Sequence, residues 1–244
     1  MIVTDAFWEK RNLGVKTAEI AVDVHDSPEL IRQQVSALSP KLEYLALRVP
    51  AGNFQQMQAI ESCGFHFIES SIHATHTLKN FTAANAVQKL CATCEGLLMD
   101  ENDIAQMMEQ IEKGIFRTDR VALDHAFSET QAARRYVGWT QDELARGSKP
   151  YKVLYQGAPV GFFCQREVRS GVYSGHLAGI YDTYTDSGFG YCVQQKALEL
   201  AKQKGGKKVL GTVSSNNVAV LKVILSLGYT INQIEYIYIK HQSN

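Results

Sequence analysis

Apolar and polar positions alternate with two different periods along this chain, and the changes of period mark out its elements. Ile104, Met107, Met108 and Ile111 recur at i, i+3, i+4 and i+7, with Asn102 and Asp103 ahead of them and Gly114 behind. That is the spacing of an amphipathic helix with a start and a stop signal. The whole of 79–115 reads as mostly helical, and a second helix is predicted over 128–145. A hairpin follows, because YKVLYQGAPVGFFCQ sets the turn Gln156-Gly157-Ala158-Pro159 between two alternating runs. SGHLAGIY then reads as a strand, and a glycine-bearing loop leads into a long helix from about 191 to 204. VLGTVS, a helix opened by Asn217 and the alternating run YTINQIEYIYIK complete the pattern. From about residue 85 onward the order is helix, helix, β-hairpin, strand, helix, strand, helix, strand. The N-terminal portion carries strand, helix, strand, helix, strand.

The chain also repeats itself. LALRVPAGNFQQMQAIESCGF (45–65) lies without gaps over VLGTVSSNNVAVLKVILSLGY (209–229), a shift of 164 residues. Val49 meets Val213, Asn53 meets Asn217, Ile60 meets Ile224, Ser62 meets Ser226, Gly64 meets Gly228, and Phe65 meets Tyr229. Both copies read as strand, polar turn with an Asn suited to cap a helix, amphipathic helix, Gly suited to end it, aromatic residue, strand. Strand–helix–strand units share this grammar in any α/β protein, so the repeat alone leaves its origin open.

Composition narrows the partners. The 244 residues carry 25 Lys plus Arg against 25 Asp plus Glu, a formal net charge of zero, which lacks the basic excess that phosphate neutralisation on nucleic acid requires. Asp5, Glu9 and Lys10 interrupt the N-terminus where an export signal needs an apolar run. VAVLKVILSLGY is too short to span a bilayer. A cytoplasmic protein with no membrane span is expected. Of the five cysteines, only Cys91 and Cys94 are close in sequence, and no further Cys or His follows at zinc-ligand spacing, so neither a metal nor a disulfide framework is expected.

One loop carries chemistry. After the strand HLAGIY, the segment YTDSGFGY opens a helix, and a glycine-bearing turn at a helix start presents unpaired N–H groups and the helix dipole to an anion such as a pyrophosphate. Gly188 and Gly190 permit a close backbone approach. The third glycine of a dinucleotide fingerprint and the Gly-Lys-Ser/Thr of a P-loop are both missing.

The order of these motifs resembles the GNAT superfamily of acyl-CoA-dependent N-acyltransferases. The residues that carry the likeness are Ile180-Tyr181 through Gly188-Phe189-Gly190, then Val213-Ser214-Ser215-Asn216-Asn217, then Leu227-Gly228-Tyr229. A narrower resemblance, to TDP-fucosamine acetyltransferase and related sugar-nucleotide N-acetyltransferases, rests on four further stretches. These are Trp8-Glu9 with Leu13-Gly14-Val15, Val49-Pro50-Ala51-Gly52-Asn53, Gly64-Phe65 with Glu69, and Arg135-Tyr136-Val137-Gly138-Trp139. It implies a mixed, mostly antiparallel central sheet flanked by helices, with a truncated GNAT-like half over 1–84 ahead of a complete GNAT domain over 85–244.

The same resemblance implies acetyl-CoA as acyl donor and no metal. The pantetheine would lie against the strand ending at Ile180 and Tyr181, the pyrophosphate on the amides of Thr185, Asp186, Ser187, Gly188, Phe189, Gly190 and Tyr191, and Asn217 nearby. Gly179 would mark the widened strand pair that admits the thioester. Two positions depart from the family pattern: Thr185 replaces the usual Arg or Gln, and Ile224 replaces the Tyr that many members use to protonate the leaving thiolate. The expected reaction is direct attack of a neutral amine on the thioester, with backbone amides holding the oxyanion and Glu69 or His176 as candidate bases. Each of these two also suits a structural role. Arg135, Tyr136 and Trp139 share one helix, with Arg135 and Trp139 four residues apart, and are candidates to hold a nucleotide-linked amino sugar. Helix anchoring is the bland alternative for the aromatics. The function expected is acetyl-CoA-dependent acetylation of a nucleotide-linked amino sugar, with acetylation of another small amine or a peptide N-terminus, and a non-catalytic acyl-CoA-binding module, as the alternatives. A homodimer is one open assembly state.

Overall fold

The computed structural model describes residues 1–79, 85–185 and 187–242, with 85–88 described by their backbone alone. The predicted division between 84 and 85 falls at the edge of 80–84, outside the described residues. The first part of the chain runs β1 (Ile2–Asp5), α1 (Phe7–Leu13), β2 (Thr17–Ala21), α2 (Pro28–Leu38), β3 (Tyr44–Pro50), α3 (Phe54–Ser62) and β4 (His66–Thr77). The second runs α4 (Asn85–Ala92), β5 (Cys94–Leu98), α5 (Glu101–Glu112), α6 (Glu129–Ala145), β6 (Lys149–Tyr155), β7 (Ala158–Arg169) and β8 (Val172–Ile180). It ends with α7 (Phe189–Gln203), β9 (Lys208–Ser214), α8 (Val218–Ser226) and β10 (Thr230–His241). No described helix is long and apolar enough to cross a membrane.

All ten strands join one sheet in the order β1-β2-β3-β10-β4-β9-β8-β7-β6-β5. Parallel pairing among the described strands is confined to β2–β3 and β8–β9, so the sheet is mixed and mostly antiparallel, as expected. Helices flank it. Burying Ile31 and Val35 of α2 and Ile60 of α3 against Ile20, Leu45, Leu47 and Tyr238 makes one core, and α7 and α8 build two others through Val193, Leu198, Ile224 and Leu227.

The repeat becomes an exchange of strands. β4 does not lie beside β3; it passes between β9 and β10, while β10 crosses to lie between β3 and β4. The pairings obey the same shift of 164 residues that relates the two sequence copies: Pro50 faces Glu235 as Ser214 faces Ser71, and Tyr44 faces His241 as Lys208 faces Thr77. β4 and β10 then pair antiparallel with each other, Thr75 opposite Thr230 and His66 opposite Ile239. Asn53 and Asn217 both cap their helices, accepting from the N–H groups of Gln56 and Val220. Gly64 and Gly228 take φ of 83° and 91°, the left-handed turn that ends each helix.

Two elements differ from expectation. Residues 94–98, inside the stretch read as helical, form strand β5 along β6, from Cys94 opposite Tyr155 to Leu98 opposite Tyr151. Packing decides this. A Cβ on Gly96 would sit 3.1 Å from Leu200 of α7, so the bare strand edge lets α7 close over it. The N-terminal portion also holds one strand and one helix more than expected, because the short β1 and α1 precede β2.

If the exchange ties the two parts together, they should unfold as one. Tyr238 on β10 is buried and donates its hydroxyl to Glu61 at 3.1 Å. Tyr238→Ala should cost ~3–5 kcal/mol in urea denaturation. Fluorescence and far-ultraviolet circular dichroism should give one coincident transition, whereas two separable transitions would contradict the exchanged sheet.

Candidate active site

β8 and β9 pair only over Val172–Ser174 against Lys208–Leu210. Beyond that point they part, and a cavity of ≈ 480 Å³ opens between them. The parting has a local cause. Cys164 faces Leu177 but Gln165 faces Gly175, so His176 is the extra residue of a β-bulge, and bulges bend and twist the strand that carries them. Two glycines keep the gap clear: a Cβ on Gly175 would meet nothing within 4 Å, and one on Gly211 would meet only Tyr229 at 3.8 Å. Gly179, expected to mark the widening, lies beyond the last β8–β9 pair, and packing also requires it, because a Cβ there would lie 2.8 Å from the Phe162 ring.

Three polar side chains turn into this cavity with capacity to spare. His176 meets Ser148 Oγ through Nδ1 at 3.0 Å, and the Trp139 ring stands edge-on to it at 5.6 Å. Burial lowers its pKa to about 4, so the imidazole is neutral at physiological pH, and its Nε2 has no hydrogen-bond partner among the described residues. The Gln165 amide, on the bulged pair, is buried with neither oxygen nor nitrogen satisfied by the described residues. Buried polar atoms without partners are rare in folded proteins, and three of them, on two side chains that line one cavity, point to a polar ligand. Glu69, from the exchanged strand β4, completes the set and is 7% exposed. Burial pushes its carboxyl pKa up, with Asp119 adding to the effect, against hydrogen bonds from Ser214 and the Arg120 N–H.

Behind Glu69 lies a buried ion network. Glu9, fully buried on α1, accepts from Arg120 at 3.1 Å and Arg135 at 2.7 Å. Arg135 also donates to Asp119 at 2.9 Å, and Arg120 to Glu19 at 2.5 Å. For Glu19, burial works against ionisation, yet Arg120 outweighs it and holds the carboxyl below its ordinary range. The network fixes α6 beside the sheet. Gly138 supports the same contact, since a Cβ there would strike Asn12 Oδ1 of α1 at 2.3 Å. Arg135, Tyr136 and Trp139 all line the cavity, as their helix spacing suggested. The Arg135 guanidinium, however, is held by Glu9 and Asp119, and Tyr136 is buried against Phe116 at 4.9 Å. Trp139 is the one of the three whose ring reaches His176.

The predicted anion loop sits at the far end of β8. Gly188, at φ 83°, is the N-cap of α7 with no side-chain cap, and no acidic residue occupies the first turn. Four of the expected amides are engaged within the loop: Thr185 on Asp182, Ser187 on Tyr184, Phe189 on Ser187 Oγ and Tyr191 on Gly188. Asp186 lies outside the described residues. The Phe189 and Tyr181 side chains are buried in the core, Phe189 against Tyr155 and Tyr181 against Phe162, while Ile180 pairs with Gly161. Asn217 lines the cavity with its Oδ1 committed to the helix cap. Ile224 lines it too.

A mixed sheet whose parallel central pair is splayed at a bulge, with a glycine-capped helix joining its two strands, defines the GNAT fold. No protein-family model and no curated protein matches the chain. Solved structures do. A conserved protein of unknown function from Staphylococcus epidermidis superposes with a TM-score of 0.63 at 12% identity, over 93% of this chain and 85% of that one. The GCN5-related glucosamine N-acetyltransferase region of a fungal multi-domain GH3 β-N-acetylglucosaminidase gives 0.61 at 11% identity, over 81% of this chain and 25% of that one. A tandem GNAT protein from the clavulanic acid biosynthesis pathway gives 0.54 at 14% identity, over 93% and 76%. At these identities the likeness establishes the fold.

Sequence reasoning missed Glu9, Asp119, Arg120 and Gln165. Glu9 stood in a quoted motif, but its partners lie more than a hundred residues away, and Arg120 sits in a loop with no period to mark it. Glu9→Gln leaves two largely buried guanidinium groups underpaired and should cost ~3–5 kcal/mol. Chemical denaturation measures this, and a loss below ~1 kcal/mol would show that the network does not hold the fold.

Proposed function

We propose that the chain is an acetyl-CoA-dependent N-acetyltransferase that acetylates the amine of a nucleotide-linked amino sugar. The observation that carries the reading is the placement of Glu69 on the same cavity as the splayed β8–β9 gap. The groups present suit the donor. Past Ser174 the β9-facing edge of β8 has no strand partner, which leaves backbone groups for an amide-bearing pantetheine chain. Gly188 and Gly190 are the loop residues best placed to offer amides to a diphosphate, and a Cβ on either would meet nothing within 4 Å. Acetyl-CoA, when bound, supplies a thioester carbonyl open to attack by an amine.

The protein's own groups then divide the work. An amine with a pKa near 8 arrives largely protonated, and Glu69, whose own pKa is raised, is the stronger of the two candidate bases. His176 holds too little affinity for a proton to serve as that base, and its neutral ring orients a polar atom of the substrate instead. Phe116, Trp139 and Tyr136 exclude water from the wall opposite β9. Ile224 supplies no acid, so as the C–S bond breaks the departing thiolate takes the proton that leaves the attacking amine, or one from water. The amino-sugar acceptor is supported by the quoted motifs and by the glucosamine-acetylating neighbour of the same fold.

Thiol release from acetyl-CoA over a panel of amino sugars and their nucleotides tests this. Glu69→Gln should lower kcat/KM by about a hundredfold or more and abolish the acid limb of the pH profile. In the unsubstituted enzyme that limb should lie above the ordinary carboxylate range, with activity rising as pH rises through it. His176→Ala should cost about tenfold and leave the limb in place. No binding of acetyl-CoA by calorimetry would overturn the reading.

A further inference from the structure

A second cavity, of ≈ 300 Å³, adjoins the first and shares Glu69, Ser71, Arg120 and Thr212 with it. It lies on the sheet face of the N-terminal part, where Thr4, Glu19, Ala46, Arg48, His73 and Glu235 turn outward from β1, β2, β3, β4 and β10. Most of its charges are satisfied internally. Arg120 is held by Glu9 and Glu19. His73 bridges Glu235 at 2.9 Å and Thr212 Oγ1 at 3.2 Å. Arg48 differs: it is exposed, and its guanidinium makes no hydrogen bond or ion pair with the described residues, acting on the Glu19 and Glu235 carboxylates only through space.

Strand register fixes where this free cation stands. Ile237 on β10 faces Arg48 on one side and Glu69 on the other, so the three form a single row across β3, β10 and β4. Two strand spacings put the Cα atoms of Arg48 and Glu69 roughly 10 Å apart. Both side chains line the second cavity, with the apolar Ile237 between them. A molecule whose amine is at Glu69 therefore meets, some bonds further on, a guanidinium that no described residue engages in a hydrogen bond or ion pair.

We propose that Arg48 is the acceptor's anion-binding residue, and that the acceptor is an amine tethered by a short spacer to a phosphate or carboxylate. This rests on the acetyltransferase reading and sharpens it. The anionic part of the acceptor lies over the N-terminal sheet face, and the role expected of Arg135 passes to Arg48, because Arg135 is already bound to Glu9 and Asp119. The planar fork of Arg48 suits bidentate contact with either oxyanion. Ile237 and Ala46 offer apolar floor to the spacer.

The test pairs an amino-sugar phosphate, a nucleoside-diphosphate amino sugar and a diamino carboxylic acid each with its uncharged analogue. Binding is measured by calorimetry and turnover by thiol release, in the unsubstituted protein and in Arg48→Ala and Arg48→Lys. The preference for an anionic over an uncharged amine should fall about tenfold or more in Arg48→Ala and be partly restored in Arg48→Lys. The three anionic probes separate phosphate, diphosphate and carboxylate as the recognised group. An unchanged preference in Arg48→Ala, or failure of all three anionic amines to bind the unsubstituted protein, overturns the assignment. If acetyl-CoA does not bind while amine binding still depends on Arg48, the anion site stands and the acetyltransferase reading falls.

Discussion

The exchange of β4 and β10 is the constraint on which the rest of this molecule depends. A strand can contribute to a sheet only where its backbone groups find partners. By running between β9 and β10, β4 brings Glu69 to the cavity formed by β8 and β9, although Glu69 lies more than a hundred residues earlier in the chain. The return of β10 between β3 and β4 closes the row Arg48–Ile237–Glu69. Without the exchange, the two parts would each present an open sheet edge, and the splayed pair would lose its acidic wall.

Electrostatics inside the cavity follow from that geometry. Glu9, Glu19, Arg120, Arg135 and Asp119 satisfy one another at the seam between α1, α6 and the sheet. Their mutual pairing allows Glu69 to remain a buried carboxylate with a raised pKa and few competing cations. Zero net charge is thus no bar to the proposed anionic ligands, with loop amides at one end of the site and, among the described residues, the unbridged Arg48 guanidinium at the other.

Much of the fold was legible because it is locally encoded. Asn53, Gly64, Asn217 and Gly228 announce their helices by residue type alone, and the shift of 164 residues between the two sequence copies is the same shift that relates the strand registers. β5 was not legible, since Cys94–Leu98 is a strand only because β6 and α7 receive it. The cavity was partly legible. His176, Trp139, Glu69 and Asn217 were named from spacing and resemblance, whereas Arg48 and Gln165 take their meaning from strand register and a bulge, which a one-dimensional pattern does not display.

Hydrogen exchange with and without acetyl-CoA examines the whole arrangement at once. Protection should rise over 174–180 on β8, 187–191 at the start of α7 and 209–214 on β9, and an anionic amine added on top should extend it to 46–48 and 69–73. Unchanged exchange on β8 and β9 in saturating acetyl-CoA, or protection confined to helices α2 and α3, would contradict it.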